Sequence, residues 1–198
     1  MTPRFGLTYD YRCPYARIAH EHVLAGLRAG ADWEVTYLPF SLGQAHVAEG
    51  EEPIWVRPDD DTGLLALQAS IAVRDNHREQ FEAVHHALFE HRHGNAGQLK
   101  DWAELAPVLD AAGVSAATIR AEIDSGQPLA TIEKEHTSYV ESHNVWGVPT
   151  FIVDDKAVFL RLLQMPIDDK ASIDTIDRVL QQIDWPLLNE FKHTSIPR

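Results

Sequence analysis

An α/β fold interrupted by a block of helices is what this 198-residue sequence predicts. Three observations carry the prediction. The chain opens as strand, helix, strand; a run of segments with helical spacing follows; and the end returns to helix, strand, strand, helix. On that reading, residues 1–42 and 127–198 form one α/β unit, and 43–126 form a helical insertion.

Arg4 to Asp10 alternates, with Phe5, Leu7 and Tyr9 on one face and Gly6, Thr8 and Asp10 on the other. That period of two marks a strand. After Tyr11-Arg12 and Cys13-Pro14, a helical stripe of Ile18, Val23, Leu24 and Leu27 runs to a stop near Gly30. Trp33 to Phe40, rich in β-branched and aromatic residues, reads as the second strand, joined to the first by a right-handed crossover. Ser41 to Pro58 reads as loop, with glycine, proline and acidic residues.

Helical spacing then recurs in the insertion. Leu64, Leu67 and Ile71 set the first pattern; Phe81, Val84 and Leu88 the second; Trp102, Leu105 and Leu109 the third, closed by Gly113. Ser115 caps a fourth helix carrying Ile119 and Ile123 and ending at Gly126. These helices are expected to pack on one another and on one face of the sheet.

The α/β pattern resumes at Pro128 to His143, where Leu129, Ile132, Tyr139 and Val140 repeat at helical spacing. Trp146-Gly147-Val148-Pro149-Thr150 is a turn into the strand Phe151 to Val153, and Asp154-Asp155 reverses the chain into Ala157 to Leu160. Asp168 to Ile183 closes the fold as a helix burying Ile173, Ile176, Leu180 and Ile183. The tail beyond it offers Trp185, Leu187, Leu188 and Phe191 as apolar anchors, either for its own core or for a second copy in a homodimer. Trp146, Trp55 and Trp102 are expected to be packing residues.

Composition narrows the function classes. Subtracting 30 acidic from 17 basic residues leaves a net charge of −13, so nucleic acid and anionic membrane are poor partners. With one cysteine, no intramolecular disulfide forms. No basic segment followed by an apolar run opens the chain, and no apolar run reaches the roughly 20 residues of a membrane span. A cytoplasmic location, where thiols stay reduced, is therefore expected.

Cys13-Pro14 is the most informative pair. Proline is favoured at the first helical position, which sets Cys13 at the cap of the helix. There the free backbone N–H groups of Tyr15 and Ala16 are able to point at its sulfur, and the helix dipole favours a thiolate. A dipole contribution of about 0.3–1 kcal/mol, rarely above ~2, is expected to lower a thiol of ~8.5 by at most roughly one and a half pH units. Asp10 works against this. A plain buried cysteine is the competing reading, and the strand-Cys-Pro-helix context favours a reactive thiol. Val148-Pro149-Thr150, ahead of a strand, is compatible with a cis bond or with an ordinary turn proline.

The whole order, with Cys-Pro-x-x after the first strand and Val-Pro-Thr before the third, resembles the DsbA family of the thioredoxin superfamily. The resemblance implies a thioredoxin fold with a helical insertion, Cys13 as the catalytic residue, and a substrate surface of Pro14, Tyr15, Ala16, Val148, Pro149 and Thr150. The backbone at Val148 would pair with an extended substrate or a thiol tripeptide as a strand does. Short stretches around His86-Ala87-Leu88-Phe89, Trp146 to Thr150 and Asn189-Glu190-Phe191-Lys192 look closest to an actinobacterial branch described as mycothiol-dependent reductases or nitroreductases.

One departure matters: reductases of this type carry Cys-Pro-x-Cys, and Ala16 stands at the second position. Cys13 is then able to form a mixed disulfide and unable to resolve it internally. A monothiol route remains, with mycothiol or glutathione as co-substrate and no tightly bound cofactor. Two alternatives stand beside it. Kappa-class glutathione transferases and hydroxychromene-carboxylate isomerases resemble the same architecture with serine or a similar residue at position 13, and a non-catalytic binding module would keep the groove without the chemistry. The histidines His85, His86, His91 and His93 match no zinc spacing; they read as a solvated or cleft-lining face.

Overall fold

The strands assemble into one mixed sheet in the order β2-β1-β3-β4. Its geometry comes from a computed structural model that describes residues 2–190 and 193. β1 (Arg4–Tyr9) and β2 (Glu34–Pro39) are parallel, in register from Arg4 opposite Glu34 to Tyr9 opposite Pro39. β3 (Thr150–Val153) runs antiparallel to β1, with Leu7 opposite Phe151, and β4 (Lys156–Phe159) runs antiparallel to β3. β1 lies between two neighbours, so Leu7, Thr8 and Tyr9 are all fully buried whichever face they occupy.

The helices fall where the apolar spacing put them: α1 (Pro14–Arg28), then α3 (Leu64–Asn76), α4 (Phe81–His93), α5 (Trp102–Ala111), α6 (Ala116–Asp124), α7 (Gln127–His143) and α8 (Asp169–Asp184). Between β2 and α3 the chain is less irregular than its composition suggests. Ser41 caps a one-turn helix, α2 (Leu42–Ala45), by accepting the Gln44 N–H at 3.1 Å, and two single 3₁₀ turns follow at Ile54–Val56 and Pro58–Asp60. Gly30 ends α1 with φ +90°, a conformation that only glycine adopts without strain.

Two cores result. One joins α1 and α8 to the sheet through Phe5, Leu7, Val23, Phe151, Ile176 and Leu180. The other joins the strand ends at Tyr9, Tyr11 and Phe40 to the helices of the insertion and α7 through Leu67, Phe89, Leu105 and Ile132. α1 packs against both α8 and α4, so it is enclosed on nearly every side, and even His20, Glu21 and His22 on it are buried.

The packing expectation for Trp146 is corrected. Trp146 is 67% exposed, because its ring stacks on Phe159 at the surface instead of entering either core. In the tail, Trp185 and Leu187 are 50% and 82% exposed and Leu188 is half-buried, so Trp185 and Leu187 do not anchor the tail in the chain's own core; Phe191 lies outside the described residues. Trp55 is buried and Trp102 partly so. No helix among the described residues is long and apolar enough to cross a membrane.

Candidate active site

Cys13 occupies the N-cap of α1 in extended conformation, followed by Pro14 at the first helical position. Its Sγ accepts the Ala16 N–H at 3.4 Å and donates to the Val148 carbonyl at 3.5 Å. The chain is drawn into this position by the Cys13 N–H, which donates to the Asp10 carbonyl at 3.0 Å. The Val148–Pro149 peptide bond is cis. Thr8 and Thr150 hold that turn from below: the Thr150 N–H donates to Thr8 Oγ1 and the Thr150 hydroxyl to the Gly147 carbonyl, both at 2.8 Å. On the far side, the Leu160 N–H donates to the Pro149 carbonyl at 3.1 Å.

Cys13, Val148, Pro149 and Thr150 are thus brought together from opposite ends of the chain. Their contributions differ from the sequence reading. Pro14 and Tyr15 are exposed beside the sulfur, whereas Ala16, Val148, Pro149 and Thr150 have buried side chains. Ala16 therefore contributes its backbone N–H to the sulfur and no surface to a ligand, and at Val148 the backbone is what faces Cys13.

The thiol is shifted in the opposite direction from that expected. Burial pushes the Cys13 thiol up, and this outweighs the N–H groups of Ala16 and Tyr15, which pull it down. Asp10 adds to the rise and Arg161 offsets part of it. The helix cap is present as anticipated; what the sequence hid is the burial of the sulfur in the fold, where it meets the Val148 carbonyl from 135 positions away.

Arg12 fastens the loop that carries Cys13. Its guanidinium reaches Asp10 through Nη2 at 2.6 Å and Nε at 3.0 Å, and Asp61 through Nη1 at 2.9 Å. Both carboxylates are buried and fully engaged: Asp10 also accepts the Leu42 N–H at 2.8 Å, and Asp61 accepts those of Gly63 and Leu64 at 2.7 Å. Gly63 is required here, because a Cβ would lie 2.6 Å from Arg12 Nε.

Of the four histidines, His86 is exposed as expected, His91 and His93 are half-buried, and His85 departs from the expected solvated face. His85 is fully buried against the Tyr11 hydroxyl at 2.8 Å, and His93 donates from Nε2 to the Tyr11 carbonyl at the same distance. His86 meets the buried carboxylate of Glu21 at 2.7 Å. They clamp α4 to α1 and to the strand end before Cys13, and Arg17 with Glu90 adds an ion pair to that interface. Among the described residues, no group of three or more histidine, cysteine, aspartate or glutamate side chains is placed to hold a metal ion.

Sequence reasoning placed Tyr15 at the rim of the site and missed the residues that continue it, Arg161 and Phe159 with Trp146. Trp146, Phe159, Arg161 and Tyr15 form a continuous row: Trp146 lies 4.4 Å from Phe159 between ring centres, and the Arg161 guanidinium lies 5.2 Å from the Phe159 ring and 4.8 Å from the Tyr15 ring. Phe159 is opposite Thr150 in the β3–β4 register, so the pairing of those two strands carries the row to the edge of the Val148 turn. The antiparallel return of the β4 segment was the available signal.

The family model of the DSBA-like thioredoxin domain matches residues 7–165. Solved structures with the same fold include a thioredoxin-like oxidoreductase from Silicibacter pomeroyi, 20% identical, covering 90% of this chain and 86% of that one with a TM-score of 0.60. DsbA from Pseudomonas aeruginosa is 18% identical, covering 91% and 83% at 0.60, and a probable DsbA oxidoreductase from Streptomyces coelicolor is 15% identical, covering 96% and 93% at 0.60. No curated protein matches the chain.

Proposed function

The chain belongs to the family of DSBA-like thioredoxin domains, and on that premise we propose that it is a thiol–disulfide oxidoreductase working through one cysteine. The observation that carries this reading is the setting of Cys13: a lone thiol at a helix cap, facing the Val148 carbonyl, with Ala16 buried three positions on.

The chemistry is an exchange. The Cys13 thiol loses its proton, and its sulfur attacks one sulfur of a disulfide R–S–S–R′, forming Cys13–S–S–R and releasing R′–S⁻, which takes up a proton. A second small thiol then attacks the R sulfur, forming a new disulfide with R and returning Cys13 as thiolate. One disulfide is consumed and one formed, so the protein itself is neither oxidised nor reduced over the cycle. Ala16 and Tyr15 support the thiolate through their N–H groups, and the backbone of Val148 offers a strand-like edge for the incoming chain. Mycothiol or glutathione would serve as the resolving thiol in a reducing compartment such as the cytoplasm.

A second reading is favoured by the upward push on the Cys13 thiol: a binding module that kept the groove and has little thiolate at neutral pH. One experiment separates the two. Alkylation of Cys13 followed against pH gives its thiolate fraction, and mass spectrometry after exposure to oxidised mycothiol and oxidised glutathione detects the mixed disulfide. A clean adduct, released by added thiol and forming about tenfold faster per pH unit below the thiol pKa, supports exchange. Alkylation without any adduct sinks it in favour of the binding module. Cys13→Ser addresses the transferase alternative, because activation of a bound thiol would survive serine and disulfide exchange would not.

A further inference from the structure

Arg161 sits on the rim of the site with a bare cationic edge. Among the described residues it has neither a carboxylate nor a carbonyl partner, whereas the arginines that organise the site do: Arg12 holds Asp10 and Asp61, and Arg17 holds Glu90. Its fixed contacts are with ring faces. Tyr15 comes from the first turn of α1, two residues beyond Cys13, and Phe159 from the β4 position opposite Thr150. Contacts with ring faces use none of the guanidinium's N–H donors, which stay available in the planar fork that matches a carboxylate. The chain carries a net charge of −13, so its general field repels an anion; a local cation held over Tyr15, two residues beyond Cys13, is what would admit one.

We infer that Arg161 selects the ligand whose sulfur meets Cys13, docking a carboxylate of that ligand on the guanidinium edge while the sulfur reaches the thiol. The inference rests on the reading of Cys13 as an exchange centre and adds a substrate class to it: carboxylate-bearing thiols and disulfides. Of the two co-substrates considered above, this favours glutathione, which carries carboxylates, over mycothiol, a glycoside that has none.

The test uses two pairs of probes matched in chemistry and different in charge. Cys13 is the sole cysteine, so alkylation reports on one site. Iodoacetate and iodoacetamide are compared on the protein, on Arg161→Met and on Arg161→Lys; 3,3′-dithiodipropionate and bis(2-hydroxyethyl) disulfide are compared for adduct formation on the same three. Removing the charge alters the thiol alike for both members of a pair, so the ratio of rates isolates docking. The expected result is a ratio favouring the carboxylate probe that falls about threefold in Arg161→Met, stays closer to that of the parent protein in Arg161→Lys, and shrinks with added salt. Ratios unchanged by Arg161→Met in both pairs overturn the inference. A changed alkylation ratio with no adduct from either disulfide keeps Arg161 as a carboxylate dock and removes the exchange chemistry.

Discussion

His85 Nε2 lies 2.8 Å from His20 Nδ1 in the interior, and this contact fixes the proton on each ring. His20 Nε2 faces the Thr8 carbonyl at 3.2 Å, which only accepts, so that nitrogen carries the hydrogen. Burial keeps both rings neutral, so His20 Nδ1 must accept from His85 Nε2, and His85 Nδ1 must in turn accept from the Tyr11 hydroxyl. The bonds therefore run in one direction from Tyr11, two residues before Cys13, to the backbone of β1.

Tyr11→Phe tests this chain. It removes only the hydroxyl and leaves His85 Nδ1 buried with no donor, a loss of about 1–3 kcal/mol. Urea unfolding is expected to show a lower midpoint with an unchanged slope. An unaltered midpoint would mean that the His85–His20 pair gains nothing from Tyr11.

Stability should also decline in mild acid. Burial pushes His20 down to about 3 and His136 down to about 4, and His85 lies well below its ordinary value. The unfolded chain binds protons at these histidines near pH ~6.5 and the folded chain does not, so stability falls as pH drops from there toward the folded values. Each histidine contributes about 1.4 kcal/mol per pH unit in that window and nothing above pH ~7. His136→Gln, which keeps an acceptor able to reach the Ser41 N–H, is expected to flatten the unfolding free energy between pH ~6 and ~4.5 by about one proton's worth. A slope identical to that of the parent chain would rule His136 out as a source.

These histidines illustrate why part of the site was unreadable in the sequence. Helices α3 to α6 were legible because their apolar residues repeat within a few positions, and Cys13-Pro14 because a helix cap is a local device. His85 was not, since its partners Tyr11 and His20 are 74 and 65 positions away and nothing near it in the chain marks it as interior. The same holds for Trp146, whose ring lies against that of Phe159, and for the thiol, whose shift comes from burial in the assembled fold. The order of elements reached the fold; the electrostatics of Cys13 required contacts across the sheet.

Arg12 is expected to be the most sensitive charged residue near the site. Arg12→Met strips the counter-charge from Asp10 and Asp61, both buried, and should cost about 3–5 kcal/mol of stability. Arg12→Lys restores the charge without the planar fork that spans the two carboxylates, so it should recover only part of the loss. Urea unfolding of the two variants checks the order; equal stability for Met and Lys would show that charge is irrelevant there.

Ala16→Cys converts the lone thiol into a pair. Position 16 is three residues after the cap, and its N–H already lies 3.4 Å from Cys13 Sγ, so a sulfur on its side chain would lie close to that of Cys13. The site is fully buried, and the added atom should cost about 1–3 kcal/mol in the reduced protein. When Cys13 carries a mixed disulfide, the introduced thiol attacks the Cys13 sulfur, closes an intramolecular disulfide between positions 13 and 16, and expels the small thiol. Mass spectrometry after exposure to oxidised glutathione should then show loss of two hydrogens in place of the adduct carried by the parent chain. A stable adduct on Cys13 in the variant, at the parent level, would mean that a sulfur at position 16 points away from Cys13, and that the packing around α1 as well as the missing sulfur keeps this site a monothiol.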